Sequence, residues 1–126
     1  MTSIPEQWVE RAQYDLETAR AMLKSGRFLY VLFCCQQAVE KMLKGVITKR
    51  TEALPPRIHN LIRLAEHAGL ELHKEQADSM RALSGYYIET RYPDEIAALS
   101  RDLSRQTAQQ VLNGTEAMVE WLSSMI

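Results

Sequence analysis

Apolar residues recur at steps of three and four along most of the chain, the period that gives an α-helix one oily face. Trp8, Ala12, Leu16, Ala19 and Leu23 form the first such stripe. It opens at Ile4-Pro5-Glu6, where a proline at the first helical position loses only an N–H that would be unpaired anyway, and it closes near Ser25-Gly26. A second helix is expected from Arg27 to Arg50, with Phe28, Val31, Leu32, Cys35, Val39, Met42, Leu43 and Val46 on a broad face. Its first part, Phe28 to Cys35, is apolar on nearly every side and calls for burial from several directions.

Thr51 to Arg57, with Pro55-Pro56, reads as a connection. A shorter helix from Ile58 to Ala68 follows, ended by Gly69, and then one from Lys74 to Tyr87. Pro93 forbids a regular helix through Arg91-Tyr92, so Glu89 to Asp94 is expected to bend. The last helix is expected from Ser100 to Ser124, continuous across Asn113-Gly114 because the stripe Leu103, Val111, Met118, Val119, Leu122 keeps its phase there. The pattern therefore predicts an all-α protein: an antiparallel up-and-down bundle of four long helices plus a shorter one, in a single domain over 1–126.

Composition narrows the picture little further. The chain has 126 residues, enough for one core and too few for two. The apolar run Phe28 to Cys35 is far short of the roughly 20 residues that span a bilayer. The first residues carry neither a basic start nor a signal-peptide stretch, so no membrane and a cytoplasmic location are expected. A net charge of −1 excludes general attraction to polyanions and restricts any nucleic-acid contact to a local basic patch. Cys34 and Cys35 are sequence neighbours, which point about 100° apart on a helix, so they read as core thiols of a reducing compartment. The three histidines supply no metal-ligand spacing, and no metal site is expected.

Three clusters carry candidate chemistry. In Gln36-Gln37-Ala38-Val39-Glu40-Lys41-Met42-Leu43-Lys44, the cations Lys41 and Lys44 are three apart, suited to gripping a phosphate or to forming a solvated face. His59 falls at the expected start of the third helix, where it either donates to a ligand or caps and packs. In Tyr86-Tyr87-Ile88-Glu89-Thr90-Arg91-Tyr92-Pro93-Asp94, Arg91 offers a planar fork to phosphate and Tyr92 or Tyr87 offers a ring to a base. The competing reading pairs Arg91 with Asp15 or Glu40 and buries Tyr92 in the core. Neither a glycine-rich phosphate loop nor a nucleophile in a recognised setting is present.

Taken in order, Trp8 with Ala12 and Asp15, Gly26-Arg27-Phe28, Gln36 to Lys44, His59-Asn60-Leu61 and Arg91-Tyr92-Pro93 resemble the HEPN family of helical domains. The resemblance implies an antiparallel bundle that commonly forms homodimers. It further implies one of two activities. Some members bind nucleotides, here ATP or GTP, and the C-terminal domain of sacsin is similar to this branch. Many prokaryotic members act with a small nucleotidyltransferase, often as a toxin–antitoxin pair. Others are metal-independent ribonucleases, in which an Arg is followed by His after four to six intervening residues. This chain departs from that pattern: Glu52, Ala53 and Leu54 stand where such an Arg would precede His59, and Arg63 precedes His67 by one residue too few. The expectation is therefore a non-catalytic dimeric module that binds a nucleotide, RNA or a protein partner. Lys41, Lys44 and Arg91 would hold phosphates, Tyr92 or Tyr87 would stack a base, and His59 would give a hydrogen bond. A ribonuclease of the same fold and a purely structural protein are the alternatives. Val119, Trp121, Met125 and Ile126 crowd the C-terminus, and a second chain would help to bury them.

Overall fold

The computed structural model describes residues 2–126. Among the described residues six helices account for the fold: α1 (Ile4–Lys24), α2 (Phe28–Thr51), α3 (Leu61–His67), α4 (Lys74–Ser84), α5 (Pro93–Ser100) and α6 (Arg105–Ser123). There is no strand among the described residues, and no helix is long and apolar enough to cross a membrane. The all-α architecture expected from the periodicity is the one found. Three helices are long, and the other three are short and lie in the stretch between α2 and α6.

Local chemistry explains where each long helix begins. Ser3 caps α1 by accepting from the Glu6 N–H, while Glu6 reaches back to the Ser3 N–H. This reciprocal box satisfies two of the donors that a helix start leaves open. Gly26, at φ +78°, takes the left-handed turn into α2, a conformation open to glycine at little cost. Ser104 caps α6 through the Thr107 N–H. The α6 helix runs unbroken past Asn113-Gly114, as the phase of its stripe requires.

Helix α5 departs from the expected pattern. Pro93 reads as a breaker from the viewpoint of the residues before it, but it begins this helix at the position where proline fits best. Asp94 and Glu95 follow in the first turn, favourable at the positive helix end, and the Glu95 carboxylate accepts from the Tyr92 N–H. Three boundaries also shift. The third helix starts at Leu61 behind an Asn60 cap, the fourth ends at Ser84, and α6 starts at Arg105. His59 and Tyr87 consequently sit in connecting segments, where their rings are free to leave the helix faces.

Packing centres on α2, which touches α1, α3, α4, α5 and α6. The α1 stripe Ala12, Leu16, Ala19, Leu23 is buried against Val31, Leu32, Cys35, Val39, Met42, Leu43 and Val46 of α2 and Ala108, Leu112, Val119 and Leu122 of α6. Arg105 at the start of α6 donates to the Leu23 carbonyl at the end of α1. At the other end of the bundle, Arg50 of α2 meets Met125 just beyond α6. Thus α6 runs antiparallel to α1 and in the same sense as α2. Gly45 lets the end of α2 approach α1 closely: a Cβ there would stand 3.2 Å from the Trp8 Cβ and 3.0 Å from the Ile126 side chain.

The two helical glycines therefore predict opposite outcomes. Gly114→Ala meets nothing within 4 Å, and is expected to stabilise the protein by about 0.5–1 kcal/mol through helix propensity. Gly45→Ala gains the same propensity but drives a methyl into Trp8, and Gly45→Val is expected to cost about 1–3 kcal/mol. Urea unfolding midpoints of the three variants check this ordering.

Candidate functional site

Glu40 lies on α2 with 6% of its side chain exposed. A buried carboxylate is tolerable only where its oxygens are bonded, and Glu40 meets that condition fully. Its Oε1 accepts from Gln36 Nε2 and faces His59 Nδ1, each at 3.0 Å, and its Oε2 accepts from Lys44 Nζ at 3.0 Å. Gln36, Glu40 and Lys44 are spaced four apart, so one helix face presents all three. Gln36 Nε2 also donates to the His59 carbonyl, and Gln37 donates to Gln36 Oε1. The backbone and ring of His59 are thereby both fastened to α2.

On its other side His59 stacks on Tyr87, ring centroids 3.8 Å apart and planes 12° from parallel. Phe33 supports Tyr87 at 6.1 Å. The Tyr87 hydroxyl donates to Glu89. Burial first, then that bond and the negative charge of Glu89 and Glu40, push the phenol up to about 12 from its usual 10. Arg91 donates to the Gly85 carbonyl at 3.0 Å and to Glu95 at 3.2 Å, and its guanidinium carries further N–H groups. Ser84 joins the segments: its hydroxyl accepts from the Leu61 N–H and donates to the Met80 carbonyl. The result is a shallow polar cavity of about 230 Å³ lined by His59, Asn60, Ser84, Tyr87, Thr90, Arg91 and Glu95.

Of the residues singled out in the sequence, His59, Tyr87 and Arg91 meet in this cavity. Tyr92 adjoins it in sequence and is 73% exposed, so it does not plug the core. Arg91 pairs with Glu95, one turn along α5, and not with Asp15 or Glu40. Lys41 and Lys44 are each engaged by a carboxylate: Lys41 by Asp15 of α1, and Lys44 by Glu40, with its ammonium 5.9 Å from the Trp8 ring centre. The sequence pairs Glu40 with Lys44 by their four-residue spacing and offers it to Arg91, but does not mark it as the centre of a network. The signal for its larger role is the four-residue spacing of three polar groups inside a buried helix, and the remote partner, His59, has no local signature.

The thiols lie apart from this cavity. Burial raises Cys34 to about 11 and Cys35 to about 12, so both are unreactive core groups. No group of three His, Cys, Asp or Glu side chains that could hold a metal ion occurs among the described residues.

A small all-helical bundle with a polar cavity between α2 and the segments flanking α3, α4 and α5 is the class that fold and site define. The family model of the HEPN domain matches residues 5–125, and the chain belongs to the HEPN family. A crystal structure of TT1696 from Thermus thermophilus is similar at TM-score 0.82 and 25% identity, covering 99% of this chain and 100% of that one. A crystal structure of ST0689, an archaeal HEPN homologue, is similar at TM-score 0.68 and 21% identity over 98% of each chain, a likeness of fold. No curated protein matches the chain.

The two ion pairs on α2 differ in burial, and their removal should differ accordingly. Glu40→Ala leaves the Lys44 ammonium buried and unpaired, and is expected to cost about 3–5 kcal/mol. Lys41→Ala breaks a more accessible pair, and is expected to cost about 1 kcal/mol or less. Denaturant titration of both variants measures the difference.

Proposed function

We propose that the chain is a non-catalytic nucleotide-binding module whose site is the cavity holding His59, Tyr87 and Arg91. The observation that carries this reading is that two separate connections, α2–α3 with His59 and α4–α5 with Tyr87 and Arg91, deliver a guanidinium, an imidazole and an aromatic ring to one polar hollow. These are the groups that recognise a phosphate, a sugar or base edge, and a base face, respectively. Arg91 supplies the phosphate contact, exchanging its hold on Glu95 for the ligand. Exposed Tyr92 adds a second ring at the rim. Lys41 and Lys44, engaged by Asp15 and Glu40, serve as framework in this reading, with Lys44 acting on the site through Glu40. ATP or GTP is the ligand that family resemblance favours. The same resemblance supports a homodimer acting beside a small nucleotidyltransferase, in the manner of a toxin–antitoxin pair.

A thermal-shift series with ATP, GTP, CTP and UTP, with and without magnesium, tests the site. An upward shift is expected for the wild type and not for Arg91→Ala, whose own melting temperature should stay close to the parent because the side chain is partly exposed. Equal shifts in both proteins would place the nucleotide elsewhere, and no shift in either would sink the reading.

One observation favours a second reading, a metal-independent ribonuclease. His59 and Arg91 lie in one cavity although the sequence lacks the family's Arg-then-His spacing. An imidazole can transfer the proton of an attacking hydroxyl while a guanidinium steadies the phosphate. Cleavage of an RNA panel in EDTA, lost in His59→Ala, is the outcome this reading requires. Intact RNA at high protein concentration rules it out.

A further inference from the structure

We infer that Glu40 is a positioning residue that fixes His59 with its proton on Nδ1, so that Nε2 faces the cavity as an acceptor and selects a ligand hydroxyl. Combined with the nucleotide reading, on which this step rests, the ligand is a ribonucleotide in preference to its deoxy counterpart.

The bonding around Glu40 leads there. Both carboxylate oxygens accept hydrogen bonds, from Gln36 and from Lys44. An ionised carboxylate has no proton to give, so the 3.0 Å contact to His59 requires the proton on Nδ1. Lys44 pairs with the same carboxylate, and Arg91 lines the same cavity, so two fixed cations share the surroundings of the imidazole. Glu89 is held by the Tyr87 hydroxyl, and Glu95 by Arg91 and the Tyr92 N–H. The stack on Tyr87 fixes the ring plane, and a ring turned over within that plane would put a C–H in place of the Nδ1 bond to Glu40. Nε2 is left without a partner among the described residues, on a ring that is 44% exposed and lines the cavity.

An imidazole presented in this way repels a bare phosphate oxygen, since acceptor would face acceptor. It pairs instead with a donor lying one group away from the phosphate that Arg91 holds. On a nucleotide the hydroxyls of the ribose satisfy that demand. His59 is therefore the sugar-reading group and Arg91 the phosphate-reading one, with Glu40 setting the polarity of the first.

The test combines a readout that needs no ligand with one that does. Nitrogen-15 spectra of the imidazole at neutral pH, on the whole chain, are expected to show His59 protonated at Nδ1 in the wild type. In Glu40→Leu/Lys44→Met, which removes the buried pair together and so leaves no unpaired charge, the proton is expected to move to Nε2. A wild type protonated at Nε2 overturns the inference. Calorimetric titration with ATP, 2′-deoxyATP and 3′-deoxyATP is expected to show the ribonucleotide bound about tenfold more tightly than at least one deoxy form. That preference should be lost in the double variant while Arg91-dependent binding remains. Equal binding of all three by the wild type overturns ribose selection with the nucleotide site intact. Binding of none overturns the nucleotide reading and ribose selection with it, and the tautomer spectra still decide the role of Glu40.

Discussion

A single ionised carboxylate inside a helix is the constraint around which the rest of this molecule is arranged. Glu40 sits on α2, the helix that touches all the others. Left alone it would cost several kcal/mol of lost hydration. The protein offsets that cost with three bonds. Gln36 and Lys44 come from the same helix, one turn to either side. His59 comes from the connection that leads into α3. The bond that satisfies a charge therefore also anchors a segment with no regular structure of its own, and Tyr87 completes the clamp from the connection after α4. Fold and site thus share their central interaction.

The long helices were legible because burial on one face imposes a period, and period survives in sequence. The α1 stripe is found where the pattern puts it, and α6 runs across Asn113-Gly114 as its phase requires, although it begins at Arg105, past Leu103. Helix α5 was not legible for a specific reason. Proline disfavours helix behind it and favours helix ahead of it, and the residues before Pro93 display only the first effect. The short helices have too few turns for periodicity to fix their ends, which is why His59 and Tyr87 fall outside α3 and α4.

The site was half legible. Residue types suited to phosphate and base recognition stand out in sequence, and three of them, His59, Tyr87 and Arg91, share a cavity. The partner of Lys41 does not stand out. Lys41 reaches Asp15 on a different helix, and a spacing argument confined to one helix cannot see such a partner. The same limit hides His59 from Glu40, nineteen positions away in sequence and one hydrogen bond away in space.

The direction of α6 has a consequence for how the chain assembles. The α1–α2 hairpin forms from neighbours in sequence, whereas α6 reaches it through contacts such as Arg105 to Leu23, separated by 82 residues. Forming such distant contacts closes a long loop and gives up more chain entropy than a hairpin does. The segment that forms the loop, α3 to α5, carries most of the cavity lining. The hairpin contacts are therefore the cheaper ones to form first, and the cavity walls belong to the segment that closes the longer loop. Those walls include α5, which contributes no buried residue to the core.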